Sequence, residues 1–174
     1  MTEDEKEKIA AVTNDAWAIG LIVNPSEEMK LAAVSKNGFV IYCIKNPSEA
    51  VQLAAVTNDG KAIRHIDNPS ENVQLAAVTR DIDAIHFIEN PSEAIQLAAV
   101  QQDGYAIQYI NNPLETVKLA AVNKFGNVIH FIKNPSEEVQ IAAVTQNGWA
   151  IRHIYNPSER VRVLAELCKV YEHD

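Results

Sequence analysis

The chain contains few of the residues on which catalytic, metal and redox centres depend. Its only two cysteines, Cys43 and Cys168, lie far apart in sequence and match no metal or redox spacing. There is no Gly-rich phosphate loop, no His-Glu-x-x-His, no Cys-x-x-Cys and no calcium-binding loop. We therefore expect no enzymatic activity, no cofactor and no metal, and a reducing cytoplasm as the location.

Long apolar runs and an excess of positive charge are also missing. No stretch approaches the roughly 20 apolar residues that span a bilayer, and the charged start, residues 1–8, does not resemble a signal peptide. Because 23 acidic residues oppose 15 Lys and Arg, the formal net charge is -8. Such a chain does not attract phosphate backbones in general, so we expect neither a membrane nor directly bound nucleic acid as partner.

What the sequence does contain is a tandem repeat. Asn-Pro recurs every 22 residues without an insertion, and Ala-Ala-Val keeps the same register. A repeat this short cannot bury its own apolar face, so its neighbours must cover it. The sequence predicts an all-α fold, an α-solenoid of 22-residue two-helix repeats. We expect one domain, 1–174, with an N-terminal cap and partial repeat (1–23), six full repeats (24–155) and a C-terminal capping helix (156–174).

The first helix of each repeat is predicted from its start signals. In the repeat 68–89, Asn68 is a suitable N-cap and Pro69 suits the first helical position. Glu71 follows three residues after Asn68, which is the spacing of a capping box. The helix is then expected to run from Pro69 to about Thr79.

A second, shorter helix follows an Asn or Asp in almost every repeat. Asp81 is the expected N-cap, and the helix is expected over 82–88. Gly usually follows the cap, but Ile82 stands there in this repeat, so the position should not require a left-handed backbone. Phe125 replaces the Asn or Asp in another repeat, and we expect a locally different turn there.

Helical spacing divides each helix into faces. On the second helix, Ala84, Ile85 and Ile88 form one apolar stripe. The first helix is predicted to be apolar on two sides, one with Val73, Ala76 and Ala77 and the other with Leu75 and Val78. Two apolar sides suit a helix that is packed between the preceding and following repeats.

Two polar columns recur at fixed places in the first helix. The Glu column is interpreted as capping-box acceptors rather than a cation-binding ridge; it comprises Glu27, Glu49, Glu71, Glu93, Glu115, Glu137 and Glu159. The second column is interpreted as stacked hydrogen bonds between repeats rather than a binding ridge; it comprises Lys30, Gln52, Gln74, Gln96, Lys118, Gln140 and Arg162.

The repeat Asn-Pro-Ser-Glu-x-Val-Gln-Leu-Ala-Ala-Val-x-x-Asn-Gly-x-Ala-Ile resembles the family catalogued as domain of unknown function 4116. The resemblance covers residues 9–155. It implies a helical-repeat fold and a bacterial or phage origin, but it implies no catalytic residues.

Positions that vary between repeats are the candidate partner-binding site, because the invariant positions are needed for the core. The variable face of the second helices is rich in aromatic residues, His and Arg, which are favoured at interfaces. We expect Tyr105, Trp149 and Phe39 to be exposed, and Phe87, Tyr109 and Phe131 to pack between repeats. The candidate site residues are Phe39, Tyr42, Arg64, His65, His86, Tyr105, Tyr109, His130, Trp149, Arg152 and His153.

Three functions fit these features. The first is a non-enzymatic scaffold that binds a protein or peptide, for example a phage protein that binds a host factor. The second is an acidic mimic of nucleic acid that inhibits a DNA-binding protein. The third is a self-assembling protein, with a homo-oligomer formed through the apolar N-terminal segment Trp17, Ile19, Leu21, Ile22 and Val23.

Overall fold

The computed structural model describes residues 2–170, which form alternating α-helices and short 3₁₀ helices without a strand. The α-helices are α1 (Glu3–Asn14), α2 (Glu27–Lys36), α3 (Glu49–Asn58), α4 (Glu71–Arg80), α5 (Glu93–Gln102), α6 (Glu115–Lys124), α7 (Glu137–Gln146) and α8 (Glu159–Val170). The 3₁₀ helices are η1 (Ala16–Leu21), η2 (Gly38–Cys43), η3 (Gly60–His65), η4 (Ile82–Phe87), η5 (Gly104–Tyr109), η6 (Gly126–Phe131) and η7 (Gly148–His153).

The chain divides into two compact blocks, an N-terminal block up to Glu89 and a C-terminal block from Asn90 onward. In the N-terminal block, α1 to α4 pack side by side in chain order, and η1 to η4 form a parallel row beside them. In the C-terminal block, α5 to α8 and η5 to η7 repeat this arrangement. The all-α helical-repeat solenoid is therefore confirmed, and α8 is the predicted last helix. Residues 171–174 of the predicted capping helix lie outside the described residues.

The corner between repeats differs from the prediction. Each α-helix of the full repeats begins two residues later than expected, and its N-cap is Ser70 or the equivalent residue instead of Asn68. Asn68 instead has a φ of 49°, and all seven Asn of the Asn-Pro pairs share this left-handed backbone. Among residues with a Cβ, Asn tolerates this conformation best, because its short polar side chain bonds locally.

The second helices are also shorter and tighter than predicted. Each is a six-residue 3₁₀ helix, and Ile88 lies in extended backbone beyond the end of η4. The predicted Asp cap is confirmed, since Oδ1 of Asp81 accepts from the N–H of Asp83 at 3.0 Å. Phe125 offers no such acceptor, yet its φ of -143° matches the other caps. The predicted change of the turn at Phe125 is therefore wrong.

The core is built from the invariant positions. In the repeat 68–89, Val73, Ala77 and Val78 are fully buried, and the stripe of Ala84, Ile85 and Ile88 is buried as predicted. The second apolar side of the first helix is only half confirmed, because Leu75 is 40% exposed.

Glycine is used for close approach between repeats. A Cβ built on Gly38 would lie 2.3 Å from the carbonyl oxygen of Ala55, in the next α-helix. A Cβ built on Gly60 would likewise lie 2.5 Å from the carbonyl oxygen of Ala77. Because no glycine among the described residues has a positive φ, the expectation that these glycines are not left-handed is confirmed.

Both polar columns have roles that differ from those predicted. Glu49 accepts a hydrogen bond from the hydroxyl of Ser70 in the next repeat at 2.5 Å, so the Glu column joins repeats and does not form capping boxes within them. The same bond joins Glu27 to Ser48, Glu115 to Ser136 and Glu137 to Ser158. The glutamines bond within their own repeat: Nε2 of Gln74 donates to the carbonyl of Pro69 at 2.9 Å.

Candidate partner-binding surface

Three consecutive 3₁₀ helices in the N-terminal block line one groove with aromatic and cationic side chains. Trp17 comes from η1, Phe39 and Tyr42 from η2, and Arg64 and His65 from η3; together with Asn37 they enclose about 370 Å³. Asn37 sets the start of η2, because its Oδ1 accepts from the N–H of Phe39 at 3.0 Å. The repeat spacing thus brings side chains of η1, η2 and η3, which are as far as 48 residues apart, into one groove.

Arg64 and His65 form an ordered pair in this groove. The Nε of Arg64 donates to Nε2 of His65 at 3.0 Å, and the guanidinium carbon lies 4.9 Å from the centre of the Phe39 ring. The His65 ring meets Phe39 and Tyr42 edge-on, with centroid distances of 6.1 and 5.3 Å. Burial, and then the charge of Arg64, lower the pKa of His65. A neutral imidazole is required, because a protonated Nε2 cannot accept from Arg64.

Beside this groove, the same face carries opposite charges that pair with each other. The Nζ of Lys61 lies 2.7 Å from Asp83 and 3.5 Å from Asp81. The hydrogen bond with Asp83 raises the pKa of Lys61 and lowers the pKa of Asp83. His86 is exposed on η4 and does not line the aromatic groove.

The C-terminal block carries a second aromatic group. The Tyr105 ring lies 5.5 Å from Phe125 and 6.2 Å from Phe131, measured between centroids. The Phe131 ring also lies against His130, with 3.6 Å between centroids and a tilt of 41° between the rings. Nδ1 of His130 lies 2.6 Å from the carbonyl oxygen of Asn127, which places the ring proton on Nδ1.

An Arg-His pair recurs in this block on η7. The Nε of Arg152 donates to Nε2 of His153 at 3.0 Å, and the His153 ring lies 5.2 Å from His130. Burial lowers the pKa of His153, and the charge of Arg152 and the proximity of His130 lower it further. The ring of Trp149 is covered by the ammonium group of Lys169 at 4.9 Å.

The predicted exposures are partly correct. Tyr105 and Trp149 are exposed as expected, whereas Phe39 is half-buried because Arg64 and His65 pack against its ring. Among the rings expected to pack between repeats, Phe131 is half-buried, but Phe87 and Tyr109 are about as exposed as Tyr105.

The candidate site residues did not include Trp17 and Phe131, which belong to these groups. They also lacked Phe125 and Lys169, although the repeat register contained the signal for both. Phe125 stands where other repeats have a capping Asn or Asp, and it contributes a ring next to Tyr105. Lys169 follows Asn147 by one 22-residue period, although the tail has lost the repeat consensus. A residue that replaces the consensus residue at a capping position can thus become part of an aromatic surface group.

No helix within residues 2–170 has both the length and the apolar character needed to cross a bilayer. No protein-family model, curated protein or solved structure matches the chain. The resemblance to the family of domain of unknown function 4116 therefore stays a prediction.

Proposed function

We propose that the chain is a non-enzymatic scaffold that binds a protein or peptide through the variable positions of its 3₁₀ helices. One observation carries this proposal. The invariant positions are used by the core, the caps and the Ser-Glu bonds, whereas the variable positions collect aromatic and cationic side chains on one face of each block.

The chemistry of this face supports a macromolecular partner. Aromatic residues and Arg dominate binding hot spots, since they bury a large area and also offer a polar group. Tyr42 is 72% exposed, although it contacts His65. Keeping such a ring in water is unfavourable, and a partner that covers it would remove this cost.

Affinity purification with two matched triple variants tests the proposal. The Tyr105→Ala, Trp149→Ala and Arg152→Ala variant removes exposed residues of η5 and η7. The control changes three exposed residues of α6 and α7 in the same block to alanine, and they are Asn123, Glu138 and Thr145.

We expect the first variant to lose a partner that the wild type and the control both retain. A partner retained equally by all three proteins would move the site away from η5 and η7, the 3₁₀ helices that the first variant changes. If none of the three proteins captured a partner, the scaffold proposal would lose its support.

Self-association is a second candidate, because the N-terminal segment exposes large apolar side chains. Leu21 is 88% exposed and Val23 is 86% exposed, while Ile19 of the same segment is buried. Light scattering should give a larger mass for the wild type than for a Leu21→Glu variant. The same monomer mass for both proteins would exclude this candidate.

We further propose a cytoplasmic location and no direct binding of nucleic acid. Cys43 and Cys168 form no disulfide, in keeping with a reducing compartment. The net charge of -8 opposes a phosphate backbone. A bacterial or phage source, with a host factor as partner, rests on the family resemblance alone.

A further inference from the structure

We infer that the groove of the N-terminal block binds a peptide segment in which an aromatic residue is followed by Asp or Glu, the ring lying between Trp17, Phe39 and Tyr42 and the carboxylate bonding to Arg64. This inference rests on the proposed scaffold function and adds the chemistry of one partner segment.

Arg64 is held in position for a carboxylate. Its Nε donates to His65, and its guanidinium carbon lies over the Phe39 ring at 4.9 Å from the centroid, so two contacts hold the guanidinium before a ligand arrives. Within the described residues Arg64 forms no ion pair, and its two terminal nitrogens are left for a bidentate contact. Preorganised guanidinium groups of this kind suit planar carboxylates, and less side-chain entropy is lost on binding.

Tyr42, Arg64 and His65 all line two neighbouring grooves of different character. One is the aromatic groove of about 370 Å³, which no carboxylate lines. The other is a polar groove of about 720 Å³, whose charged residues are Lys45, Arg64 and Asp67. Because Arg64 and His65 line both grooves, a ring in the first groove and a carboxylate in the second would lie on adjacent residues of an extended segment.

The charges favour an acidic side chain over the alternatives. Two cations face the polar groove against one carboxylate, so a basic segment is repelled there. The net charge of -8 repels a polyanion. Its effect on a segment with one or two carboxylates is small, because Arg64 attracts them at close range. We specify an internal Asp or Glu rather than a chain terminus, because the site extends across η1, η2 and η3 as a row that an extended segment can follow.

The C-terminal block provides an internal comparison. Arg152 and His153 repeat the Arg64-His65 hydrogen bond at the same 3.0 Å. However, Asn127 occupies the repeat position of Phe39, so the aromatic support beneath the guanidinium is missing. The full site is therefore assigned to the N-terminal block.

Tryptophan fluorescence can report on this groove directly. The chain has two tryptophans, so a Trp149→Phe background leaves Trp17, at the groove, as the only one. Short acetylated and amidated peptides with a central Phe-Glu, Phe-Gln, Ala-Glu or Phe-Lys are titrated while Trp17 emission is followed. A peptide ending in phenylalanine with a free carboxylate tests the chain-terminus alternative.

We expect a saturable change with the Phe-Glu peptide and affinity at least about tenfold weaker for each of the other peptides. Arg64→Gln should weaken Phe-Glu binding by about tenfold or more, and Arg64→Lys by less, since it keeps the charge without the bidentate geometry. Arg160→Gln changes an exposed arginine of α8 outside both aromatic groups; it is the control and should leave the titration unchanged. Urea unfolding of each variant checks that the fold is intact, and Phe39→Leu provides a second test if Arg64→Gln unfolds.

Equal affinity for Phe-Glu and Phe-Gln, a preference for Phe-Lys or for the free carboxylate, or no response to any peptide would each overturn the inference. The scaffold proposal is tested separately by the variants of the C-terminal block. If the C-terminal variant lost a captured partner but no peptide bound to the N-terminal groove, the inference would be rejected and the scaffold proposal retained.

Discussion

Replacing Gly38 by alanine tests whether close contact between repeats explains the recurring glycine. The new Cβ would lie 2.3 Å from the carbonyl oxygen of Ala55, and 3.3 Å from the backbone nitrogen of Asp59. Both are backbone atoms of the next repeat, so η2 and α3 must move apart. Ala16 and Ile82 occupy the same register in other repeats, which indicates that the fold can adjust at a cost.

The size of the effect follows from two opposing contributions. Overpacking costs roughly 1–3 kcal/mol. Replacing Gly by Ala lowers the conformational entropy of the unfolded chain, and this stabilises the fold by about 0.4–1 kcal/mol. A net loss of roughly 0.5–2 kcal/mol in the free energy of unfolding is expected, which lowers the urea midpoint by about 0.25–1 M at a denaturant slope of about 2 kcal/mol per M.

Gly20→Ala is the matched control in the same block. Its Cβ would lie 3.4 Å from Sγ of Cys43, an ordinary contact, so only the gain from the unfolded state should remain. Far-UV circular dichroism during urea unfolding measures both variants. If Gly38→Ala raised the midpoint as Gly20→Ala is expected to do, the close-contact explanation would be refuted.

Three further predictions concern the corner, the missing cap and the Arg-His pairs. Asn68→Ala should lower the free energy of unfolding by about 1–2 kcal/mol while Asn68→Gly is nearly neutral, because only the Ala variant strains a positive φ; equal urea midpoints would contradict this. Leu114→Ser should raise the free energy of unfolding by about 1 kcal/mol, because Leu114 is the N-cap of α6 and makes no side-chain cap bond; a lower midpoint would argue against it. The pKa values of His65 and His153 lie below their ordinary value in the folded protein. The unfolded state therefore binds more protons than the folded state as pH falls through about 6.5. The free energy of unfolding should therefore fall from about pH 7.5 to 5.5, and less so in a His65→Gln, His153→Gln double variant; the same decrease in both proteins would count against the neutral Arg-His pair.

The fold was largely predictable because the same residue pattern recurs many times at a fixed spacing. Exact spacing shows which residues recur, and burial of Val73, Ala77 and Ile85 follows from helical geometry. The spacing cannot show which polar residue caps a helix when several candidates are adjacent. Asn68 and Ser70 are both good caps, and the choice depends on Asn tolerating the left-handed backbone better than Ser.

The candidate site was predictable in composition but not in grouping. Variation between repeats identified Phe39, Arg64 and Trp149 as surface candidates. It could not show that Arg64 lies over Phe39 while Trp149 is covered by Lys169, since these contacts depend on side-chain direction across neighbouring repeats. The Ser-Glu bonds were missed for the same reason, because a Glu near a helix start serves its own helix or the next one equally well in sequence.

The bond from Glu49 to Ser70 also determines how such a chain can change in length. The two residues are 21 positions apart, and the glycine contact from Gly38 to Ala55 spans 17 positions, so each repeat is fitted to the next at a fixed offset. Removing 22 residues from within a block preserves every offset, whereas removing 21 or 23 breaks both. Unequal recombination between repeats can therefore add, delete or exchange whole units, each carrying its own surface residues, without breaking these contacts. The surface residues of such a chain can therefore change by whole units while the contacts between repeats stay the same.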